Sequence, residues 1–273
     1  MRFKIKFILS GKKQIMPLNN QYPISSWIYK VIGKADKEFA KILHENGYRT
    51  AGGKQFKLFT FSKLQFPKKT WKILPKSDRM NIWARSAYLT VSFQLPEQSE
   101  KFVMGLFKEQ QTFIGDKISE IEMKVEGIEV LENVDFGGMG YRRIRFKSLT
   151  GIVFGLQIEG KKYEQYISPL HPEYKRVFLN SLIDKYEATG KNDVKVEDLD
   201  FIIKEISPKT VMQTIKAGTD AETKVRGFNY EFELGAPKEI AEVGFNSGFG
   251  NMCSLGFGFC EMIENDRNII IHG

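Results

Sequence analysis

The chain has 273 residues, 42% of them hydrophobic, and a formal net charge of +8, which allows one large domain or two small ones. No apolar run is long enough to cross a bilayer, and Met1-Arg2-Phe3-Lys4-Ile5-Lys6-Phe7 alternates charge with bulk where a signal peptide needs a continuous apolar core, so a cytoplasmic protein with no membrane partner is expected. Cys253 and Cys260 are the only cysteines, too few for a disulfide framework and without the paired spacing of a zinc site.

Arg2 to Leu9 alternates with period two, predicting an opening strand with Phe3, Ile5 and Phe7 on its buried face. Ile24, Trp27, Ile28 and Val31 recur at helical spacing and predict a helix from Ile24 to Ile32, ended by Gly33. A second helix is expected from Asp36 to Asn46, with Phe39, Ala40 and Leu43 inward, His44 in its last turn and Asn46-Gly47 as its stop. Strands follow at Phe56 to Phe61, Trp71 to Leu74 and Ala87 to Leu95, then a helix from Pro96 to Lys108 and a strand near Thr112 to Ile118. This order is the split βαβ plan of a ferredoxin-like sheet with helices on one face.

The second half repeats the plan. Ile121 to Leu131, Tyr141 to Lys147 and Ile152 to Ile158 read as strands, Pro172 to Thr189 as a helix, and Val194 to Ile206 and Val225 to Leu234 as further strands. A helical turn at Pro237 to Val243 and a strand at Phe257 to Ile263 close the chain. The expected fold class is therefore α+β, two tandem ferredoxin-like (RRM-like, split βαβ) domains over residues 1–118 and 119–273. Charge divides at the same point: residues 1–118 hold 22 Lys and Arg against 8 Asp and Glu, while residues 119–273 hold 19 against 25. A polycationic half points to an anionic polymer as partner, and nucleic acid ranks ahead of a membrane because no basic amphipathic helix stands out.

Val243 to Phe259 is the most distinctive stretch, with Gly248-x-Gly250, five residues, then Gly256-x-Gly258. Glycine reaches positive φ cheaply and lets another group approach the backbone. A dinucleotide fingerprint starting at Gly248 needs glycine where Cys253 stands, so that reading fails. Gly155 to Lys162 approaches a phosphate loop but has Lys162 where a Mg²⁺-binding Ser or Thr belongs, and its flanks read as a hairpin.

The glycine pattern, embedded in Val-Gly-Phe and Ser-Leu-Gly-Phe-Gly at the end of a double ferredoxin-like chain, resembles the signature loop of the CRISPR-associated RAMP endoribonucleases, most closely the sixth Cas family, which processes precursor RNA within each repeat. Met1 to Lys6, Tyr29 in Trp-Ile-Tyr-Lys-Val-Ile, Leu43-His44-Glu45 and Lys57-Leu58-Phe59-Thr60-Phe61-Ser62 follow the family's N-terminal order, so the resemblance spans nearly the whole chain. It implies Tyr29, His44 and Lys57 as the catalytic residues, with Lys54 a rival for the lysine role. It implies RNA cleavage by the 2′-hydroxyl, giving a 2′,3′-cyclic phosphate and a 5′-hydroxyl, without a metal or other cofactor. His suits proton transfer because its ring titrates near neutral pH, and the last turn of a helix suits a cation, so His44 is the expected general acid. Tyr29 is an orienter of the 2′-hydroxyl or its base, and Lys57 supplies fixed charge to the phosphorane.

Lys54, Arg142, Arg143, Arg145 and the four glycines Gly248, Gly250, Gly256 and Gly258 are the expected RNA contacts, the glycine amides facing RNA or holding the neighbouring domain. No metal ligand set is expected, since His44, His171 and His272 are far apart and no carboxylate cluster shows ligand spacing. The implied partners are CRISPR repeat RNA, with other Cas proteins of an interference complex and a second copy of the chain as further candidates. The alternative function is a non-catalytic RAMP subunit that holds guide RNA as a scaffold.

Overall fold

Alternation along Arg2–Leu9 turns Phe3, Ile5, Phe7 and Leu9 into a core and leaves Lys4, Lys6 and Ile8 outside. In the computed structural model, which describes all residues except 11, 133, 137–140, 205–206 and 264–273, this strand is the centre of a five-stranded antiparallel sheet. Ser86–Phe93 and Glu120–Val130 flank it, with Phe59–Phe61 and Gln111–Gly115 at the two edges. Helices α1 (Gln21–Ala35) and α3 (Pro96–Lys108) cover the sheet, where Trp27 of α1 meets Phe7 and Phe102 edge-on at 5.6 and 5.9 Å between ring centroids. A short α2 (Lys37–Glu45) packs beside α1, with Leu43 its one buried residue.

The second sheet is built the same way. Tyr141–Ser148 lies between Glu231–Pro237 and Cys260–Met262, and Asp200–Ile203 pairs with the outer side of Glu231–Pro237. Helices α4 (Tyr174–Glu187) and α5 (Lys238–Ser247) close its core around Phe146, Phe178, Phe232 and Phe249. In the second sheet the fourth strand pairs with the first, the first with the third and the third with the second; the first sheet has the same order with Glu120–Val130 in the fourth place and Gln111–Gly115 added at its edge, so both halves are ferredoxin-like. Among the described residues no helix is long and apolar enough to cross a membrane.

Four expectations are corrected. The boundary at residue 118 falls inside the first domain, because Glu120–Val130 pairs along the whole of Arg2–Leu9 rather than opening the second sheet. Gly33 does not end α1, which runs on to Ala35; the break comes at Asp36, whose side chain accepts from the Phe39 amide at 2.9 Å and so starts α2. The strand expected over Phe56 to Phe61 is interrupted at Leu58, whose φ is +52. Val225 to Leu234 divides at Tyr230, and its first part pairs with Lys209–Ile215 in a hairpin, Lys209–Ile215 with Thr223–Asn229, that stands apart from the main sheet. The hairpin read over Gly155 to Lys162 is present, with Gly155–Leu156 paired to Gln165–Tyr166. His171 accepts a 3.2 Å hydrogen bond from the Glu173 amide just before α4, and His272 lies outside the described residues.

Candidate active site at the domain joint

The period that buries Ile24, Trp27, Ile28, Val31 and Ile32 in α1 leaves Tyr22, Ser25, Ser26 and Tyr29 along one flank. Tyr29 is half-buried there, its ring edge-on to His44 at 5.0 Å and to Phe59 at 5.5 Å between centroids. His44 follows the anchored Leu43 on α2 and is itself exposed. Lys57 arrives from a third direction. The backbone turns at Leu58, the Gln98 amide donates to the Lys57 carbonyl at 2.6 Å, and the Lys57 ammonium donates to the His44 backbone carbonyl at 2.6 Å.

Tyr29, His44 and Lys57 thus line one cavity of about 440 Å³, with Ser254 and Leu255 of the glycine-rich stretch as its opposite wall. Burial pushes the Tyr29 phenol up to about 12, the Ser254 hydroxyl beside it working the other way. Burial, and then the positive charge of Arg49, lowers the Lys57 ammonium below its ordinary value. Chemically the cavity offers a neutral phenol, an imidazole open to solvent and an ammonium with no carboxylate partner in any ion pair among the described residues. Lys54, the rival lysine, does not line it: its ammonium pairs with Asp184 of α4 at 2.5 Å.

Sequence reasoning missed the second domain's share of this wall. Backbone carbonyls of the glycine-rich stretch and of the strand that follows it accept hydrogen bonds from side chains of the first domain. Arg2 donates to Phe245 O at 2.6 Å and Cys260 O at 2.9 Å, Ser25 to Ser254 O at 2.6 Å and Thr60 to Phe257 O at 2.9 Å, while Gln21 bonds Gly256 O. Arg2 also stacks on the Phe245 ring, 3.3 Å from its centroid. From the second domain's own α4, buried Lys185 donates to Gly248 O at 2.5 Å and lies 3.3 Å from the Cys253 sulfur. A signal was available, since Ser254 sits between the two glycine pairs.

The four glycines are all buried, each with positive φ. At Gly256, φ +88, a Cβ would lie 2.8 Å from the Phe61 ring; at Gly258 it would run into the Phe249 backbone. Gly248 and Gly256 pack against Thr60, Phe61 and Gln21 of the first domain, whereas Gly250 and Gly258 pack against Val153 and Phe249 of their own. The arginines of the second sheet fall elsewhere. Arg143 pairs with Asp200 at 2.8 Å and Arg145 with Glu231 at 2.7 Å on the outward face, away from the cavity, and Arg142 is exposed at the start of the same strand.

Residues 15–128 match the family "CRISPR-associated protein Cas6, N-terminal", and residues 135–262 match "CRISPR associated protein Cas6, C-terminal". A CRISPR-associated endoribonuclease-like protein Cas6 of Pyrococcus furiosus is 27% identical over 271 residues, covering 97% of this chain and 99% of the relative. CRISPR-associated endoribonuclease Cas6 1 of Methanocaldococcus jannaschii is 27% identical over 264 residues, covering 93% and 89%. A solved structure described as an RAMP protein binding different RNA substrates superposes with a TM-score of 0.77 at 22% identity over 97% of this chain and 100% of that one, a likeness of fold.

Proposed function

The chain belongs to the Cas6 family of CRISPR-associated RAMP proteins, and from that membership we propose that it is an endoribonuclease that cuts CRISPR repeat RNA once per repeat by attack of a 2′-hydroxyl. The observation that carries this reading is the meeting of Tyr29, His44 and Lys57, from three separate segments, in one solvent-open cavity. A scaffold that only holds RNA has no need of that convergence.

The 2′-oxygen bonds to the adjacent phosphorus as the bond to the 5′-oxygen breaks, leaving a 2′,3′-cyclic phosphate and a 5′-hydroxyl. Tyr29, held neutral by a phenol pushed up to about 12, orients the 2′-hydroxyl by hydrogen bonding and is the wrong group to take its proton near neutral pH; solvent at the cavity mouth takes it. His44 gives a proton to the leaving 5′-oxygen. Lys57 meets the charge that builds on the phosphorane, and its hydrogen bond to the His44 carbonyl keeps acid and cation in register. None of these steps calls for a metal. Incubation with the chain's own repeat RNA in excess EDTA should give full cleavage, and the same RNA with a 2′-deoxy group before the cut should stay intact. Loss of cutting in EDTA, or equal cutting of the deoxy substrate, overturns the mechanism.

A further inference from the structure

A second cavity, of about 610 Å³, opens beside the first, and Tyr22 and Ser26 of α1 line both. Its floor is Trp27, which is buried against Phe7 and Phe102. One side carries Phe113, 49% exposed on the edge strand Gln111–Gly115, and Ile118, 81% exposed beyond it. The roof comes from the second domain: the tip of the hairpin that follows Lys209–Ile215, including Lys216 and Thr219, lines the opening. Of its carboxylates, Asp78 and Asp116 are both paired with Arg79, at 3.2 and 2.5 Å. The third carboxylate, Glu120, is exposed, and the space is aromatic and apolar on its floor and side, with Lys30, Lys117 and Lys216 also lining it.

We propose that this slot receives one unstacked base of the RNA, that of the nucleotide whose 2′-hydroxyl attacks. The proposal rests on the cleavage reading above. Single-stranded RNA is held by stacking its bases on aromatic side chains, and the slot offers Tyr22 and Phe113, with Tyr22 lining the reacting cavity as well. In-line displacement sets the attacking 2′-oxygen and the leaving 5′-oxygen on opposite sides of phosphorus. Tyr29, the 2′-oxygen's partner, stands on the same flank of α1 as Tyr22 and Ser26, while His44, the leaving oxygen's partner, comes from α2. The base on the 2′-oxygen's side is thus the one that the slot can reach. Seating it fixes the ribose, so the second domain's hairpin helps set the cut position.

Two measurements on the full chain test this. Repeat RNA lacking the base just 5′ of the cut should be cleaved by the wild type with kcat/KM reduced roughly tenfold, the scale of one stacked base. Phe113→Ala, remote from the catalytic trio, should lose about as much on unmodified RNA and be nearly indifferent to the missing base. Separately, 2-aminopurine scanned through the repeat reads stacking without cleavage. One position should be quenched on binding to the wild type and not to Phe113→Ala, and it should be the nucleotide 5′ of the cut. Equal quenching by both proteins, or full sensitivity to the missing base in Phe113→Ala, overturns the slot; quenching 3′ of the cut overturns the assignment of the base. Quenching that depends on Phe113 without any cleavage of unmodified RNA supports the slot and sinks the cleavage reading alone.

Discussion

The two domains share one four-strand order, to which the first adds an edge strand, yet their first crossover helices do different work. In the first domain, α1 turns Tyr22, Ser25, Ser26 and Tyr29 toward an open cavity. In the second, the corresponding α4 turns Asp184 and Lys185 toward the joint, one onto Lys54 and the other onto the carbonyl of Gly248. The cavity is bounded on one side by groups able to move protons and on the other by a loop that its neighbour clamps. Of two domains with a shared strand order, one carries the reactive groups and the other holds them in place.

The sharpest way to break that comparison is to remove the reactive side alone. His44→Ala should lower the single-turnover cleavage rate by about 10²–10⁴-fold, the range for a lost general acid, with the Kd for repeat RNA nearly unchanged because the exposed imidazole packs little. An unchanged rate removes His44 from the site. Lys57→Ala should cost about 10²–10³-fold, the scale of losing one group that stabilises the transition-state charge.

Lys57 contributes its own limb to the alkaline side of the pH profile. Burial and Arg49 lower its ammonium from the ordinary 10.5. The charge is present below the lowered value and lost above it, so the rate should fall at a lower pH than an ordinary lysine would give. Lys57→Arg, charged throughout, should push that limb upward in a kcat profile. Tyr29, near 12, adds no limb in the working range. A limb that stays in place in Lys57→Arg assigns it to another group.

Much of the fold was legible, because period-two and period-3.6 patterns survive in isolation: the strands Arg2–Leu9 and Tyr141–Ser148 and the helices α1 and α3 lie where the alternation puts them. The family resemblance named Tyr29, His44 and Lys57 but not how they meet, which depends on a left-handed Leu58 that no residue preference announces. The boundary error has a similar cause. Glu120–Val130 alternates equally well for either sheet, and only its register with Arg2–Leu9 assigns it. Ser254 was hidden because its partner Ser25 lies in the other domain. The ion pairs of Arg143 and Arg145 were hidden because a count of cations ignores their neighbours. Glu231 and Glu233 alternate with Phe232 and Leu234, and that pattern, read across strands, would have shown acids facing them.

The clamp side is tested by Gly256→Val. A β-branched residue at φ +88, with its Cβ 2.8 Å from the Phe61 ring, must displace a buried ring of the other domain. Backbone strain of this kind costs about 1–3 kcal/mol, so the urea midpoint should drop and cleavage should fall with it. Gly256→Ala should lie between the two. An unchanged midpoint would mean that the loop does not need glycine to reach its neighbour.

The smallest effect is expected where sequence charge promised a large one. Arg143 stands among Asp200, Glu233 and the neighbouring Lys175, which shares Asp200 with it at 2.8 Å. Its charge is already matched within the fold, and an exposed pair of this sort adds little to stability. A phosphate contact releases counterions and steepens the salt dependence of binding; a cation held by carboxylates on its own sheet has no such charge to give without first losing them. Arg143→Gln should therefore leave the unfolding midpoint, the RNA affinity and the slope of log Kd against log salt where they are. A slope shallower by about one, the signature of one lost phosphate contact, would place RNA on the outer face of the second sheet and extend its role beyond clamping.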